Sequence, residues 1–176
     1  EIPEETVTAT GTLLAAARDA GAPVLQVGVR RTVARGQFDE IRTAASENAG
    51  KAPKDIMALA AGSDDIGFIH APGDGEETIH KVGVSCFQGT RLDTVLRNLG
   101  ARDVVVAGAF THMVVESTVR QGFDLGYRMI VVPEACCSPN STLHENSLKF
   151  GISNFARIIG LDDIGAFFKE NSNAGN

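Results

Sequence analysis

Two solid runs of apolar residues set the limits on what this chain can fold into. One is Val104-Val105-Val106-Ala107, opened by Asp103 and closed by Gly108. The other is Met129-Ile130-Val131-Val132, between Arg128 and Pro133. A strand with one wet face alternates apolar and polar side chains; a strand covered on both faces does not. Between the runs, Val115, Val119 and Phe123 recur at helical spacing over about His112 to Leu125, and Gly126 ends the segment. Strand, helix and strand on short connections give a right-handed crossover and a parallel sheet faced by helices.

The rest of the chain extends this pattern. Val7, Leu13, Leu14 and Ala17 share one helical face that stops at Gly21, and Val24 to Val29 follows as a second buried strand. Thr78 to Val82 reads as a short strand or extended edge. Asp93 to Leu99 reads as a helix, with Leu92, Val95, Leu96 and Leu99 on one face. A polar loop is expected over Ser138 to Thr142, a final helical region over Glu145 to Ile158, a packed tail over Ile164 to Phe168 and a frayed end from Asn171. Arg30 to Thr78 is the least regular stretch, with short helices expected at Phe38 to Asn48 and Lys54 to Ala61 and a turn at Ala71 to Gly75. So long an excursion between sheet elements is either functional or a plain surface detour. The expected fold class is α/β: three layers, α-β-α, around a central, mostly parallel sheet.

At 176 residues the chain supplies one domain's core, expected over 1–176. A net charge of -6 argues against a nucleic-acid surface, and the absence of tryptophan with a single tyrosine leaves few base-stacking platforms. No apolar run reaches the roughly 20 residues a membrane span needs. No signal peptide opens the chain, and three cysteines form no disulfide framework, so a cytoplasmic location is expected. Neither a glycine-rich phosphate loop nor zinc-ligand spacing occurs, so no cofactor and no metal is expected. The expected partner is a small-molecule substrate.

In an open parallel sheet, ligands bind beyond the carboxyl ends of the strands. That gathers Lys81 to Thr90, Gly108 to Val115 and Glu134 to Ser138. Lys81 lies at a predicted strand end, where it either holds an anion or tunes a carboxylic acid's proton, or is a plain solvated lysine. Gly108 to Val114 forms a tight turn whose first amides favour negative charge, or else an ordinary helix start capped by Thr111. Arg30 and Arg31 either pair with substrate carboxylates or lie in a solvated loop, and Phe38 is a candidate to close the pocket. His112 reads as a helix cap or a subunit contact, and Glu116 as the i, i+4 partner of Arg120. Cys86, Cys136 and Cys137 lack the setting that lowers a thiol pKa and read as structural.

The same stretches carry a resemblance. Lys81 to Leu92 (KVGVSCFQGTRL), Val104 to Arg120 (VVVAGAFTHMVVESTVR), and Gly126-Tyr127-Arg128 through Glu134-Ala135-Cys136 resemble, in order and spacing, the isochorismatase-like hydrolases. The resemblance implies a Rossmann-like fold and hydrolysis of C–N bonds in small amides or of a vinyl ether. It implies Lys81 as a catalytic lysine and the amides of Phe110 and Val114 as oxyanion donors, with a cis peptide at Ala109-Phe110. Phe110 stands where vinyl-ether-cleaving members carry tyrosine, which suits a substrate wall, and His112 is shared with those members. A homo-oligomer, dimer or tetramer, is also implied. The family's nucleophilic cysteine is replaced by Val114, and its Asp-bearing strand would lie upstream of Glu1. Two functions are therefore expected: a hydrolase of small carboxylated substrates without a sulfur nucleophile, or an inactive binding or scaffolding homologue. An amidase with a nonstandard nucleophile ranks behind both.

Overall fold

The computed structural model describes residues 2–30, 47–48, 50, 65–66, 68–81 and 83–172. The expected helices at 38–48 and 54–61 fall almost wholly outside the described residues. In chain order the elements are α1 (Glu4–Asp19), β1 (Leu25–Arg30), β2 (Asp65–Ile66), β3 (Glu77–Lys81), α2 (Leu92–Asn98) and β4 (Asp103–Ala109). A π-helical turn (Thr111–Val115) leads into α3 (Glu116–Asp124). Then come β5 (Arg128–Cys137), α4 (Ser141–Asn146), a π turn (Ser147–Gly151), a 3-10 turn (Ile152–Asn154), β6 (Ala156–Ile158) and α5 (Leu161–Ser172).

The strands form two hydrogen-bonded ladders, β2-β1-β3 and β4-β5-β6. Every pairing is parallel except the two-residue contact of β2 with Val29 and Arg30. Successive side chains of β5 leave opposite faces. Met129 and Val131 join a core with Phe87, Leu92, Leu96, Val115, Val119 and Tyr127, beneath α2 and α3. Ile130 and Val132 join a second core with Ala9, Leu13 and Ile164, beneath α1 and α5. The unbroken apolar run of β5 is thus explained: helices cover the sheet on both sides, giving the expected α/β layering. No helix among the described residues is long and apolar enough to cross a membrane.

Three expectations are corrected. First, β5 runs on through Pro133 to Cys137, beyond the strand expected over Arg128 to Pro133. Its register against β4 slips between Val106↔Val131 and Gly108↔Cys136, and Pro133 sits in the slipped stretch, where its missing N–H breaks no ladder bond. Second, the helix expected over Glu145 to Ile158 is replaced by three short helical pieces and a sixth strand, whose residues Ala156 to Ile158 pair with Met129 to Val131. Third, the packed tail is a full helix, α5.

An ion pair fastens α1 to the turn before β3. Glu76 accepts from Arg18 Nε at 2.7 Å and Nη2 at 3.1 Å, and from the Gly73 N–H at 2.8 Å. The Arg18 guanidinium holds the Glu76 carboxyl down to about 2. A folded pKa below the unfolded value of about 4.3 stabilises fully above that value, and the contribution fades as the pH falls toward the folded one. Glu76→Gln is therefore expected to lose less thermal stability than the native chain on acidification from about pH 5 to about pH 3, as followed by circular dichroism. Parallel melting curves for the two proteins would show that the pair contributes nothing.

Candidate active site

Lys81 is the last residue of β3, at the carboxyl end of its strand, and is 4% exposed. Its ammonium donates to the carbonyls of Gly83 at 2.7 Å and Val84 at 2.9 Å. Burial pushes its pKa down, and the nearby Cys86 thiol opposes that shift. A cation this deep, met among the described residues by two neutral main-chain carbonyls, keeps a net positive field for an incoming anion.

The loop after Lys81 is tied to the helix that follows β4. The Cys86 N–H donates to Thr118 Oγ1 at 3.0 Å, and that hydroxyl donates to the Val114 carbonyl at 2.7 Å. Thr118 is 2% exposed and lies on α3. A single buried hydroxyl therefore joins the Lys81 segment to the turn carrying Val114. Ser85 and Thr90 shape the loop itself: Ser85 Oγ accepts the Phe87 N–H, and Thr90 Oγ1 donates to the Cys86 carbonyl.

The turn after β4 opens with a cis peptide at Ala109-Phe110. The Phe110 carbonyl accepts three N–H groups, from Met113 at 3.2 Å, Val114 at 2.9 Å and Val115 at 3.2 Å. The Val114 N–H is thus paired within the turn, by the i→i−4 bond that the fourth residue after a helix cap ordinarily makes to the cap carbonyl; the i→i−5 bond of Val115 is the π-helical one. Phe110 itself is 38% exposed, and its ring lies 6.2 Å from that of His112. Thr111 is fully buried and caps nothing; its hydroxyl meets His144 Nδ1 at 2.8 Å.

His112 is half-buried, and its Nδ1 lies 2.9 Å from Ser138 Oγ. Glu116 and Arg120 form the expected i, i+4 pair, at 2.8 Å. The same carboxylate accepts from Ser147 Oγ at 2.6 Å, which fastens the segment after α4 to α3. Arg30 closes β1, but its side chain, like all of Arg31 and Phe38, lies outside the described residues. Burial raises the Cys86 thiol and pushes Cys136 up to about 12, so both remain protonated at neutral pH. Sequence reasoning missed Thr118, Ser138 and Ser147. A lone hydroxyl on a helix or loop carries no pattern; only the i, i+4 spacing of Thr118 to Val114 hinted at a back-bond.

The isochorismatase domain matches residues 3–163 of the chain. The isochorismatase family protein YecD of Escherichia coli O157:H7 is 28% identical over 165 residues, 92% of this chain and 82% of YecD. The isochorismatase family protein YwoC of Bacillus subtilis is 39% identical over 77 residues, 44% of this chain and 41% of YwoC. Nicotinamidase 3 of Arabidopsis thaliana is 32% identical over 89 residues, 51% of this chain and 45% of that enzyme. The matched stretch thus spans less than half of the last two relatives. Among solved structures, an isochorismatase family protein from Desulfovibrio vulgaris superposes with a TM-score of 0.74 at 24% identity, covering 93% of this chain and 84% of that one.

Proposed function

The chain belongs to the isochorismatase family, which includes hydrolases such as nicotinamidase 3, and on that premise we propose that it hydrolyses a small carboxylated substrate without a sulfur nucleophile. The observation that carries this is Lys81, a buried ammonium at a strand's carboxyl end that Thr118 ties to the turn at Phe110. Lys81 draws in the substrate's carboxylate, the Phe110 amide is the backbone donor of the site, and the Phe110 ring walls it. Val114 cannot attack a carbonyl carbon, so cleavage of a vinyl ether by protonation and water addition suits the site better than covalent amide hydrolysis. Lys81 is the electrostatic partner of the acid that supplies the proton.

Among the described residues, β4 hydrogen-bonds only to β5, and β2 covers β1 only at Val29 and Arg30. All seven residues of β4 are half-buried although its sequence is that of a strand covered on both sides. The second reading is a binding homologue that keeps the anion site and turns nothing over; the valine at position 114 favours it. Incubation with isochorismate and assay of released pyruvate separates the two. Pyruvate release supports the hydrolase; binding with no pyruvate supports the homologue.

A further inference from the structure

Beyond the contacts of Lys81, a second group of matched side chains sits at the same end of the sheet. Ser138 is the first residue after β5, and His112 lies in the turn after β4. His112 Nδ1 stands 2.9 Å from Ser138 Oγ, and the main-chain N–H of His112 donates to that same oxygen at 3.3 Å. The distance is that of a nucleophile and its general base. The main-chain N–H stabilises negative charge on Oγ as its proton leaves.

The surroundings fit the role. Burial pushes His112 below the usual histidine range, against the pull of Glu116, which favours the neutral ring; in the tautomer with its hydrogen on Nε2, Nδ1 accepts from Ser138 Oγ. Glu116 is held in place by Arg120 and Ser147. His112 and Glu116 line an open surface groove with Leu143 and Phe150, beside Ser138's partner ring rather than over Ser138 itself. Phe150 is 65% exposed, a large apolar surface to leave in water on a short turn.

We propose that Ser138 and His112 form a nucleophile–base pair that cleaves small carboxylic esters through an acyl-serine, independently of the site at Lys81. As Ser138 Oγ bonds to the ester carbonyl carbon, its proton passes to His112 Nδ1. The tetrahedral adduct collapses, and the alcohol leaves carrying that proton. Water then gives a proton to His112 and attacks the acyl carbon. The C–Oγ bond breaks, the carboxylic acid departs, and Ser138 regains its hydrogen. No oxidant, metal or other co-reactant enters the balance.

The probe is p-nitrophenyl acetate. The expected result is a burst of p-nitrophenolate with one acetyl group on the peptide containing Ser138. Ser138→Ala is expected to remove the burst, and His112→Gln to slow it by about 10²–10⁴-fold. Should Ser138→Ala fail to fold, Ser138→Cys keeps the pair and is expected to carry the acetyl group on sulfur. A serine that only caps the turn makes the same two contacts but accepts no acetyl group. Absence of a burst, or acetylation of Lys81 or another residue with Ser138 unmodified, overturns the proposal.

Discussion

Lys81→Met is expected to lower pyruvate release from isochorismate by about 10²–10⁴-fold while the chain stays folded. Methionine keeps the length and apolar stem of lysine and removes only the ammonium. The carbonyls of Gly83 and Val84 then lose a donor each. An unpaired buried carbonyl costs about 1–3 kcal/mol. The relief of burying a charge at a site 4% exposed offsets part of that cost. The melting temperature should therefore move little compared with the rate. A rate equal to that of the native chain would remove Lys81 from the mechanism. A collapse of the melting transition would make it a structural lysine.

Gly151→Ala is expected to destabilise the protein by about 2–3 kcal/mol, a drop of roughly 5–10 °C in melting temperature for a chain of this size. A Cβ at Gly151 would meet the Glu116 carboxyl at 2.5 Å. The carboxylate cannot swing aside cheaply, because Arg120 and Ser147 both hold it. Gly122→Ala makes a useful contrast. There the closest atom is Met129 Sδ, near the end of a flexible side chain, and alanine's better helix propensity returns up to about 1 kcal/mol. The double variant Glu116→Ala/Gly151→Ala should be less destabilised than the sum of its single changes, since the clash disappears with the carboxylate. Strict additivity of the two would rule out the contact as the cause.

These contrasts also show what a sequence exposes and what it hides. The runs at Val104 and Met129 were readable because burial on both faces removes polar residues from a strand, whatever the rest of the chain does. The continuation of the second of these strands past Pro133 was not legible, because tolerance of a proline depends on whether its N–H is needed, and the register slip beside it is a property of two strands together. The strand at Ala156 to Ile158 was hidden for a related reason. Three residues carry no periodicity, Ile158 is 41% exposed, and only the edge offered by β5 makes them a strand.

At the site, Lys81 stood out as the first residue of the run KVGVSCFQGTRL that carries the family resemblance. The pairing of the Val114 N–H with the Phe110 carbonyl was not legible, because the sequence does not show which residue caps the helix. Thr118 and Ser138 act across 32 and 26 residues of sequence, a reach no local pattern records. Arg30 and Arg31 stay candidates from sequence for pairing with substrate carboxylates, and Phe38 for closing the pocket.

The most direct measurement is a crystal structure of the protein soaked with isochorismate. The account predicts a ligand carboxylate oxygen within hydrogen-bond distance of Lys81 Nζ and the ring of Phe110 against the substrate, with all three thiols out of contact. A ligand bound elsewhere, or a Lys81 ammonium still confined to the carbonyls of Gly83 and Val84 beside an occupied pocket, would contradict it.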